Sequence, residues 1–365
     1  MTIRRCPGCS LRDTTPGIEF RENKICNYCI THQKIEYRGE DELLKTLDAH
    51  RNQSEKYDCI VPVSGGRDSS FTLLKMVKDY KMNVLAVNYE SPFTHPQATE
   101  NVKNAAKALN IDVIFFFFLK RIHERTFSSN LKTWMKNPSF GVFPLLCVAC
   151  KLFWYETIKI AKKHKVRCIV AGLNRYEDTS YKKALLGIST KESWEKTYIK
   201  SFFGMLKEIV RNPGYFKLAF IPTMIKAYLF GDSYALGFRI FAPEISILDL
   251  FYYLPWNEKE NLTRISSELG WKPAEEYNST WRFDCKVAQL KDLVFLNTFG
   301  ITEKDDLYAK MVREGIISYD EALERLKLEN KIHEKTIKEV LEKAGIDYES
   351  FLKFLEGISK ASPNV

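Results

Sequence analysis

Hydrophobic and polar positions along the first half of the chain predict strands and helices in turn. Short apolar runs suited to strands lie at 58–63, 84–89, 111–119 and 166–171. Apolar residues with helical spacing lie between or before them, at 71–77, 99–109 and 154–164. The run at 111–119 holds four consecutive Phe residues and is expected to be fully buried. Such alternation predicts the α/β class, a doubly wound parallel sheet that binds ligands beyond the carboxyl ends of its strands.

The α/β pattern stops near residue 181. From Tyr181 to Phe241 the chain is basic and aromatic, and it predicts an amphipathic helix that Pro213-Gly214 ends. This segment could form a helical lid, a dimer arm or an in-plane membrane helix. Further on, Ser318 to Glu321 is a capping box before charged helices, which are expected to form a solvated bundle. The predicted organisation is a four-Cys module (1–40), an α/β domain (41–180), a helical insertion (181–245) and a remaining region with C-terminal helices (246–365).

Composition narrows the class of protein. The chain has 365 residues and a net charge of +9, and nine Lys/Arg stand against three Asp/Glu between Tyr181 and Lys226. This favours an anionic partner, such as a nucleotide, a nucleotide-sugar, RNA or a lipid surface. No apolar run is long enough to span a membrane and no export signal is seen, so a cytoplasmic location is expected. Because the cytoplasm keeps thiols reduced, the nine cysteines favour metal sites over disulfides.

The most informative motif follows the first predicted strand. A Ser/Gly loop between a strand and a helix start lets backbone N–H groups approach phosphate oxygens. It has neither Walker nor dinucleotide-fold spacing, but it resembles the SGGxDS signature of PP-loop ATP pyrophosphatases, which cleave ATP between the α- and β-phosphates. The predicted ATP-binding residues are Ser64, Gly65, Gly66, Arg67, Asp68, Ser69 and Ser70.

A second turn follows the strand at 166–171. Gly172, Asn174 and Asp178 fit the GHNxxDD-like turn of PP-loop enzymes, whereas Leu173 replaces its His and Glu177 its first Asp. Gly172 and Asn174 are predicted to bind ATP. Asp68 and Asp178 are the predicted catalytic carboxylates, placed to hold Mg²⁺ against the polyphosphate. Glu177 could equally be a solvated turn residue.

Two C-x-x-C pairs open the chain with sixteen residues between them. The spacing is that of a zinc ribbon, in which four thiolates reach one tetrahedral ion and supply folding energy. Rubredoxin-type iron is the alternative. The predicted ligands are Cys6, Cys9, Cys26 and Cys29.

Three further cysteines form a separate candidate set. Cys147 and Cys150 make a third C-x-x-C pair, and Cys285 lies in the distant segment Trp281-Arg282-Phe283-Asp284-Cys285. The set resembles that of tRNA-thiolating PP-loop enzymes, in which three cysteines hold an iron–sulfur cluster with one open iron. A zinc site with a fourth ligand or a purely structural pair are the alternatives. The remaining cysteines, Cys59 and Cys168, are predicted core residues.

Together, these motifs resemble the bacterial N-acetyl sugar amidotransferase family over nearly the whole chain. The resemblance implies an adenine nucleotide alpha hydrolase-like fold with ATP, Mg²⁺ and Zn²⁺ as cofactors. It implies that an acetamido group on a nucleotide-linked sugar becomes an acetamidino group, in O-antigen or flagellin-glycan synthesis. The amide oxygen would be adenylated and then displaced by ammonia.

Ammonia needs a source, and no glutaminase nucleophile is recognisable. Thr2 occupies the position where an N-terminal-nucleophile glutaminase needs Cys. The resemblance implies a separate glutaminase–cyclase-like pair as partner, and no nucleic-acid partner is expected. The alternatives are a tRNA sulfurtransferase, which shares the adenylation step, and a non-catalytic zinc-ribbon binding protein.

Overall fold

One parallel sheet forms the centre of the protein. The computed structural model describes residues 4–140, 146–185, 194–231 and 235–361. The strands are β1 (Cys59–Pro62), β2 (Val84–Tyr89), β3 (Asp112–Phe116), β4 (Cys168–Ala171) and β5 (Ser246–Asp249). They lie in the order β3-β2-β1-β4-β5, and each adjacent pair is parallel. The predicted α/β fold class is confirmed.

Helices make up most of the remaining structure. Before the insertion they are α1 (Asn27–Ile30), α2 (Glu40–Asp48), α3 (Arg67–Leu74), α4 (Pro96–Leu109), α5 (Ile122–Lys136), α6 (Leu152–Lys163) and α7 (Ser180–Leu185). The insertion forms α8 (Trp194–Arg211), α9 (Ile221–Leu229) and α10 (Leu236–Phe241). The rest are α11 (Leu250–Tyr253), α12 (Glu258–Leu269), α13 (Val287–Phe299), α14 (Glu303–Glu314), α15 (Tyr319–Glu329), α16 (Glu334–Ala344) and α17 (Tyr348–Ala361).

The order of the strands places the ligand edge at the centre of the sheet. The chain runs outward from β1 through β2 to β3, then returns to the other side of β1 as β4 and β5. The loops after β1 and β4 therefore diverge on either side of a crevice at the carboxyl ends of the strands, which is where open α/β sheets bind ligands. Residue Cys59 in β1 and Cys168 in β4 are both completely buried, as predicted.

The edge strand β3 differs from its prediction. A fully buried strand over 111–119 is wrong, because the strand ends at Phe116, and Phe117 and Leu119 are 65% and 73% exposed. The physical reason is the position of β3, which pairs with β2 alone and has solvent beyond its free edge. A run of aromatic residues identifies a strand but does not say whether that strand is central.

Local sequence fixes several helix ends. The His95 ring accepts a hydrogen bond from Gln97 N at the start of α4, and Asn110 ends that helix with a left-handed φ of 50°. Ser318 caps α15 by accepting from Glu321 N. The reciprocal capping box lies at α14, between Thr302 and Asp305.

Three apolar clusters surround the sheet and the helices. One packs α3, α4 and α12 on one face of the sheet, and another packs α6 and α10 on the opposite face. The third joins α5 to α13, α16 and α17. The C-terminal helices thus share a core of their own.

Helix α14 has four consecutive charged residues at its start, and all are buried: Glu303, Lys304, Asp305 and Asp306. Ala309 of the same helix lies in the apolar cluster of the N-terminal lobe, and His32 Nε2 lies 2.5 Å from Glu314 Oε1. The N-terminal lobe therefore docks on α14. No helix among the described residues is long and apolar enough to cross a membrane.

Candidate active site

The loop after β1 forms a tight cradle at the start of α3. Gly65 has a φ of +83°, and a Cβ there would meet Ala98 O at 1.9 Å, so only glycine fits. Gly65 O accepts hydrogen bonds from Asn101 Nδ2 at 3.1 Å and Trp271 Nε1 at 3.0 Å. Helix α4 and the segment after α12 therefore hold the loop in a shape whose backbone N–H groups lie at a helix N-terminus, an arrangement suited to phosphate.

The serines of the loop divide into two kinds. Ser64 and Ser69 place their hydroxyl oxygens 3.1 Å apart on the exposed side of the loop, and Gly66 N donates to Ser64 Oγ at 3.2 Å. Ser70 is completely buried inside α3. The first two hydroxyls are therefore the ones that a phosphate could reach.

Asp68 is a buried hub of hydrogen bonds. Its carboxylate accepts from Arg67 Nε at 3.0 Å, Trp256 Nε1 at 2.9 Å and Asn174 Nδ2 at 3.3 Å. Gly172 permits this contact, because a Cβ there would meet Thr72 Oγ1 at 2.3 Å and Asp68 O at 2.8 Å. The structure thus brings together the predicted residues of the β1 and β4 loops.

The carboxylates of the second turn lie in different surroundings. Burial and the neighbouring Asp68 raise the pKa of Glu177 to about 7, although Arg282 and Arg67 act in the opposite direction. Asp178 is exposed, and its carbonyl oxygen accepts a hydrogen bond from Lys310 Nζ. Glu177 is therefore the carboxylate of this turn that borders Asp68, and the role of Asp178 stays a prediction.

Arg67 lies in a network of carboxylates. It is 3% exposed, and its Nη1 contacts Glu258 Oε1 at 2.5 Å while its Nη2 lies 3.7 Å from Glu177 Oε1. Glu258 also accepts from Arg325 Nη1 at 2.8 Å. Although burial alone would lower it, Asp68 and Glu258 raise the pKa of Arg67 above its ordinary value. The guanidinium thus ties α3 to α12 and α15.

A segment far along the chain completes the site. His95 N donates to Asp284 O at 3.0 Å and Lys286 N to Phe93 O at 2.8 Å, which fixes the segment beside the end of β2. Asp284 Oδ2 lies 3.2 Å from the position of a Cβ on Gly66. Burial raises the pKa of Asp284, whereas a hydrogen bond from Ser64 and the charge of Arg282 oppose the rise. A third carboxylate therefore lies at the mouth of the loop.

Arg282 supplies a second cation at this point. Its backbone has a φ of +49°, a left-handed conformation that costs energy in a non-glycine residue. Its Nη1 donates to Glu303 Oε2 at 2.8 Å, and its Nε lies 3.8 Å from Glu177 Oε2. The buried start of α14 thus orients a guanidinium toward the carboxylates of the site.

Two cysteines of the second set, Cys147 and Cys285, pack against the same apolar cluster, and Cys150 N donates to Cys147 O at 3.0 Å. Burial and the adjacent thiols of Cys285 and Cys150 raise the pKa of Cys147, and burial and Cys285 raise that of Cys150 to about 12. The same three thiols add to the rise that burial causes in the pKa of Tyr89, at the end of β2. Thr94, which follows β2, forms a backbone bridge with Cys285, and the preceding Asp284 borders Gly66, so Cys285 lies close to the candidate ATP site.

The N-terminal cysteines are drawn together more tightly. Cys6 Sγ lies 3.7 Å from Cys29 Sγ, and Cys9 Sγ 3.6 Å from Cys26 Sγ. All four sulfurs lie within 4.8 Å of one another, which fits one tetrahedral ion, zinc or iron. Across the residues that the structure describes, this quartet is the one group of three or more ligand atoms so closely spaced.

Sequence reasoning missed several residues of the site. Asp284 and Arg282 belong to a motif that was noted for its cysteine alone, and Trp256 and Glu258 carry no motif. The available signal was weak, because a single Trp, Glu, Arg or Asp has no spacing that marks a site. Their role depends on tertiary contacts with α3.

The chain matches a protein family in one region and aligns with an archaeal protein over 176 residues. Residues 275–362 match the family described as LPS biosynthesis protein WbpG-like, C-terminal domain. An uncharacterized protein of Methanocaldococcus jannaschii, MJ1599, is 29% identical over 176 residues. That alignment covers 46% of this chain and 58% of the archaeal protein, so the chain spans little more than half the length of this relative.

Alignments with solved structures were also found. The U34-tRNA thiolase NcsA from Methanococcus maripaludis aligns with a TM-score of 0.34 at 15% identity, over 91% of this chain and 92% of that one. NMN synthetase from Francisella tularensis aligns with a TM-score of 0.36 at 12% identity, over 84% of this chain and 91% of that one.

Residues 275–362 are therefore similar to a WbpG-like C-terminal domain, and they follow an α/β core built on a parallel sheet. The match includes Trp281 to Cys285, one of the motifs on which the predicted resemblance rests.

Proposed function

We propose that the protein is an ATP-dependent amidotransferase that converts the N-acetyl group of a nucleotide-linked sugar into an acetamidino group. One observation carries the proposal. The region that matches an LPS biosynthesis family, residues 275–362, also supplies Arg282 and Asp284 to the loop that suits a nucleotide phosphate. A domain associated with surface-polysaccharide synthesis and an ATP-type cradle thus contribute to a single site.

The proposed reaction has two steps. First, the amide oxygen attacks the α-phosphorus of ATP, the bond to the β-phosphate oxygen breaks, and pyrophosphate leaves. Second, the ammonia nitrogen adds to the imidate carbon, the bond from that carbon to the AMP oxygen breaks, and loss of a proton leaves the amidine. The amide oxygen departs as part of AMP, so adenylation turns a poor leaving group into a good one.

The residues of the site would mainly orient the substrates and neutralise the negative charge of the phosphates. The backbone N–H groups at the start of α3, with the Ser64 and Ser69 hydroxyls, would hold the departing pyrophosphate. Asp68, Glu177 and Asp284 suit a hard divalent cation, because carboxylate oxygens are the ligands that Mg²⁺ prefers. Mg²⁺, when bound, would offset the phosphate charge. The N-terminal quartet would hold Zn²⁺ in a structural role.

The second candidate is a tRNA sulfurtransferase, and the packing of Cys147 and Cys285 against one apolar cluster favours it. Three neighbouring thiols could hold an iron–sulfur cluster with an open iron for sulfide. The adenylation step would be the same, so ATP turnover alone does not separate the two candidates.

The test incubates the full chain with ATP, Mg²⁺, ammonium and a panel of N-acetylated nucleotide-sugars. Mass spectrometry should find AMP and pyrophosphate in equal amounts and a sugar product in which NH replaces O. Asp68→Asn should lower turnover at least about a hundredfold, while the exposed Asp112→Asn on β3 should leave it unchanged. Formation of ADP and phosphate, or thiolation of tRNA with sulfide in place of sugar amidination, would overturn the proposal.

Nitrogen delivery forms a separate part of the proposal. The chain alone should use ammonium and not glutamine, and a glutaminase–cyclase-like pair should confer use of glutamine. Glutamine hydrolysis by the isolated chain would show that it contains an unrecognised nucleophile, for which the three clustered cysteines are the first candidates.

A further inference from the structure

Helix α8 carries an exposed apolar stripe that the proposed chemistry does not use. The members of the stripe lie one, three or four positions apart, and at about 3.6 residues per turn they all fall on one side of the helix. Each is between 39% and 72% exposed. The α8 stripe consists of Ile199, Phe202, Phe203, Leu206 and Val210.

Cationic side chains border the stripe on one side. Lys207 and Arg211 are exposed and follow stripe residues by about a quarter turn of the helix. From Ile199 to Lys226 the chain has five Lys/Arg and one acidic residue, Glu208, and Arg211 Nη1 lies 3.3 Å from its carboxylate. The border therefore presents positive charge to whatever the stripe contacts.

Helix α8 is anchored by the turn at its C-terminal end and by Ile209, which lies outside the stripe. Asn212 Nδ2 donates to Thr133 O at 3.1 Å, and Thr133 Oγ1 donates to Gly214 O at 3.3 Å, so the turn after α8 is fixed to α5. Tyr215 and Ile209 pack in the cluster of the C-terminal helices. Within the stripe, Phe202 packs on Tyr228 of α9 with ring centroids 4.7 Å apart, whereas Ile199, Phe203 and Val210 are each more than half exposed. The outer part of the stripe therefore remains available at the surface.

We propose that α8 lies in the headgroup region of an anionic membrane, with its stripe in the acyl boundary and its cations on lipid phosphates. An apolar stripe with a basic border is the pattern of an in-plane helix. The 18 residues of α8 give a helix about 27 Å long, enough for a stable in-plane contact. Two copies meeting stripe to stripe would bring like charges together, whereas anionic headgroups neutralise them. This contact does not depend on the proposed amidotransferase reaction.

The experiment is sedimentation of the full chain with lipid vesicles. The chain should bind vesicles made of equal parts phosphatidylcholine and phosphatidylglycerol, and not vesicles of phosphatidylcholine alone. Phe203→Glu and Val210→Glu should each weaken binding at least about tenfold, since a charge enters the acyl boundary. Lys207→Gln should weaken it about fivefold, and raised salt should act in the same direction.

The matched control is Leu328→Glu, because Leu328 on α15 is 56% exposed, close to the 60% of Phe203. This change should leave vesicle binding unaltered, and all variants should keep the melting temperature of the parent. Equal binding to neutral vesicles, no binding to either kind, or binding that the stripe variants do not alter would overturn the proposal. So would ultracentrifugation showing a dimer that Phe203→Glu dissociates, since the stripe would then contact a second copy.

Discussion

The N-terminal lobe and the candidate ATP site both gather polar side chains, but they do so over very different distances along the chain. The lobe closes four sulfurs around one point with residues that all lie between Cys6 and Cys29. The ATP site joins the β1 loop to residues near positions 177, 258 and 282 through ion pairs. Damage to the lobe should therefore remain local, whereas damage to the site should weaken several helices at once.

The largest expected effect comes from Arg67→Met. It leaves the carboxylates of Asp68 and Glu258 without their buried cation, and breaking a buried pair in this way costs about 3–5 kcal/mol. Urea unfolding should show that loss across the whole protein. The control is Arg264→Met on α12, whose guanidinium is paired with Asp79 at 2.8 Å but partly exposed, so about 1 kcal/mol or less is expected. Equal losses in the two variants would contradict the network.

Cys26→Ser tests the other half of the comparison. Loss of one ligand should release the metal ion, and much of the folding energy of a small metal lobe goes with it. Elemental analysis should find one fewer equivalent of zinc or iron, and hydrogen exchange should rise in residues 4–30 while β1 and β2 stay protected. The control is Cys150→Ser, which should keep the metal of the quartet. Faster exchange throughout the sheet would show that the lobe supports the whole fold.

Gly172→Ala probes how closely α3 approaches β4. The new methyl group would meet Thr72 Oγ1 at 2.3 Å and the backbone of Asp68 at 2.8 Å, so α3 must shift. We expect a loss of about 1–3 kcal/mol from overpacking and a fall in ATP turnover, because Asp68 moves with the helix.

The matched control for this change is Gly357→Ala. Gly357 lies in α17 with nothing within 4 Å of the added Cβ, and the change should stabilise by up to about 1 kcal/mol through helix propensity. If Gly172→Ala also stabilises, the contact is looser than the structure indicates.

The contrast between the lobe and the candidate ATP site also explains how much of each the sequence could predict. The quartet and the β1 loop are local motifs, so their spacing alone predicts where the ligands and backbone donors lie. Trp256 and Glu258 belong to no motif, and only the packing of α12 on α3 brings them to Asp68 and Arg67.

The buried charges of α14 were unpredictable for a related reason. A run such as Glu303 to Asp306 is typical of a solvated helix end, and its partners Arg282 and Asp292 come from other helices and loops.

The smallest expected effect concerns the pH dependence of stability. Burial and Asp68 raise the pKa of Glu177 from 4.5 to about 7 in the folded protein. Between those two values the folded state binds a proton that the unfolded state has released, so stability falls as the pH rises through this interval. Urea unfolding should show a loss of about 1–3 kcal/mol between pH 5 and pH 8, roughly the free energy of such a shift reduced by partial exposure. Glu177→Gln should flatten that slope.

Glu124→Gln is the control, because Arg121 lowers the pKa of Glu124 and the carboxylate is already ionised over the whole interval. A slope that survives in Glu177→Gln would mean that another group of the site, with Asp284 the first to examine, takes up the proton.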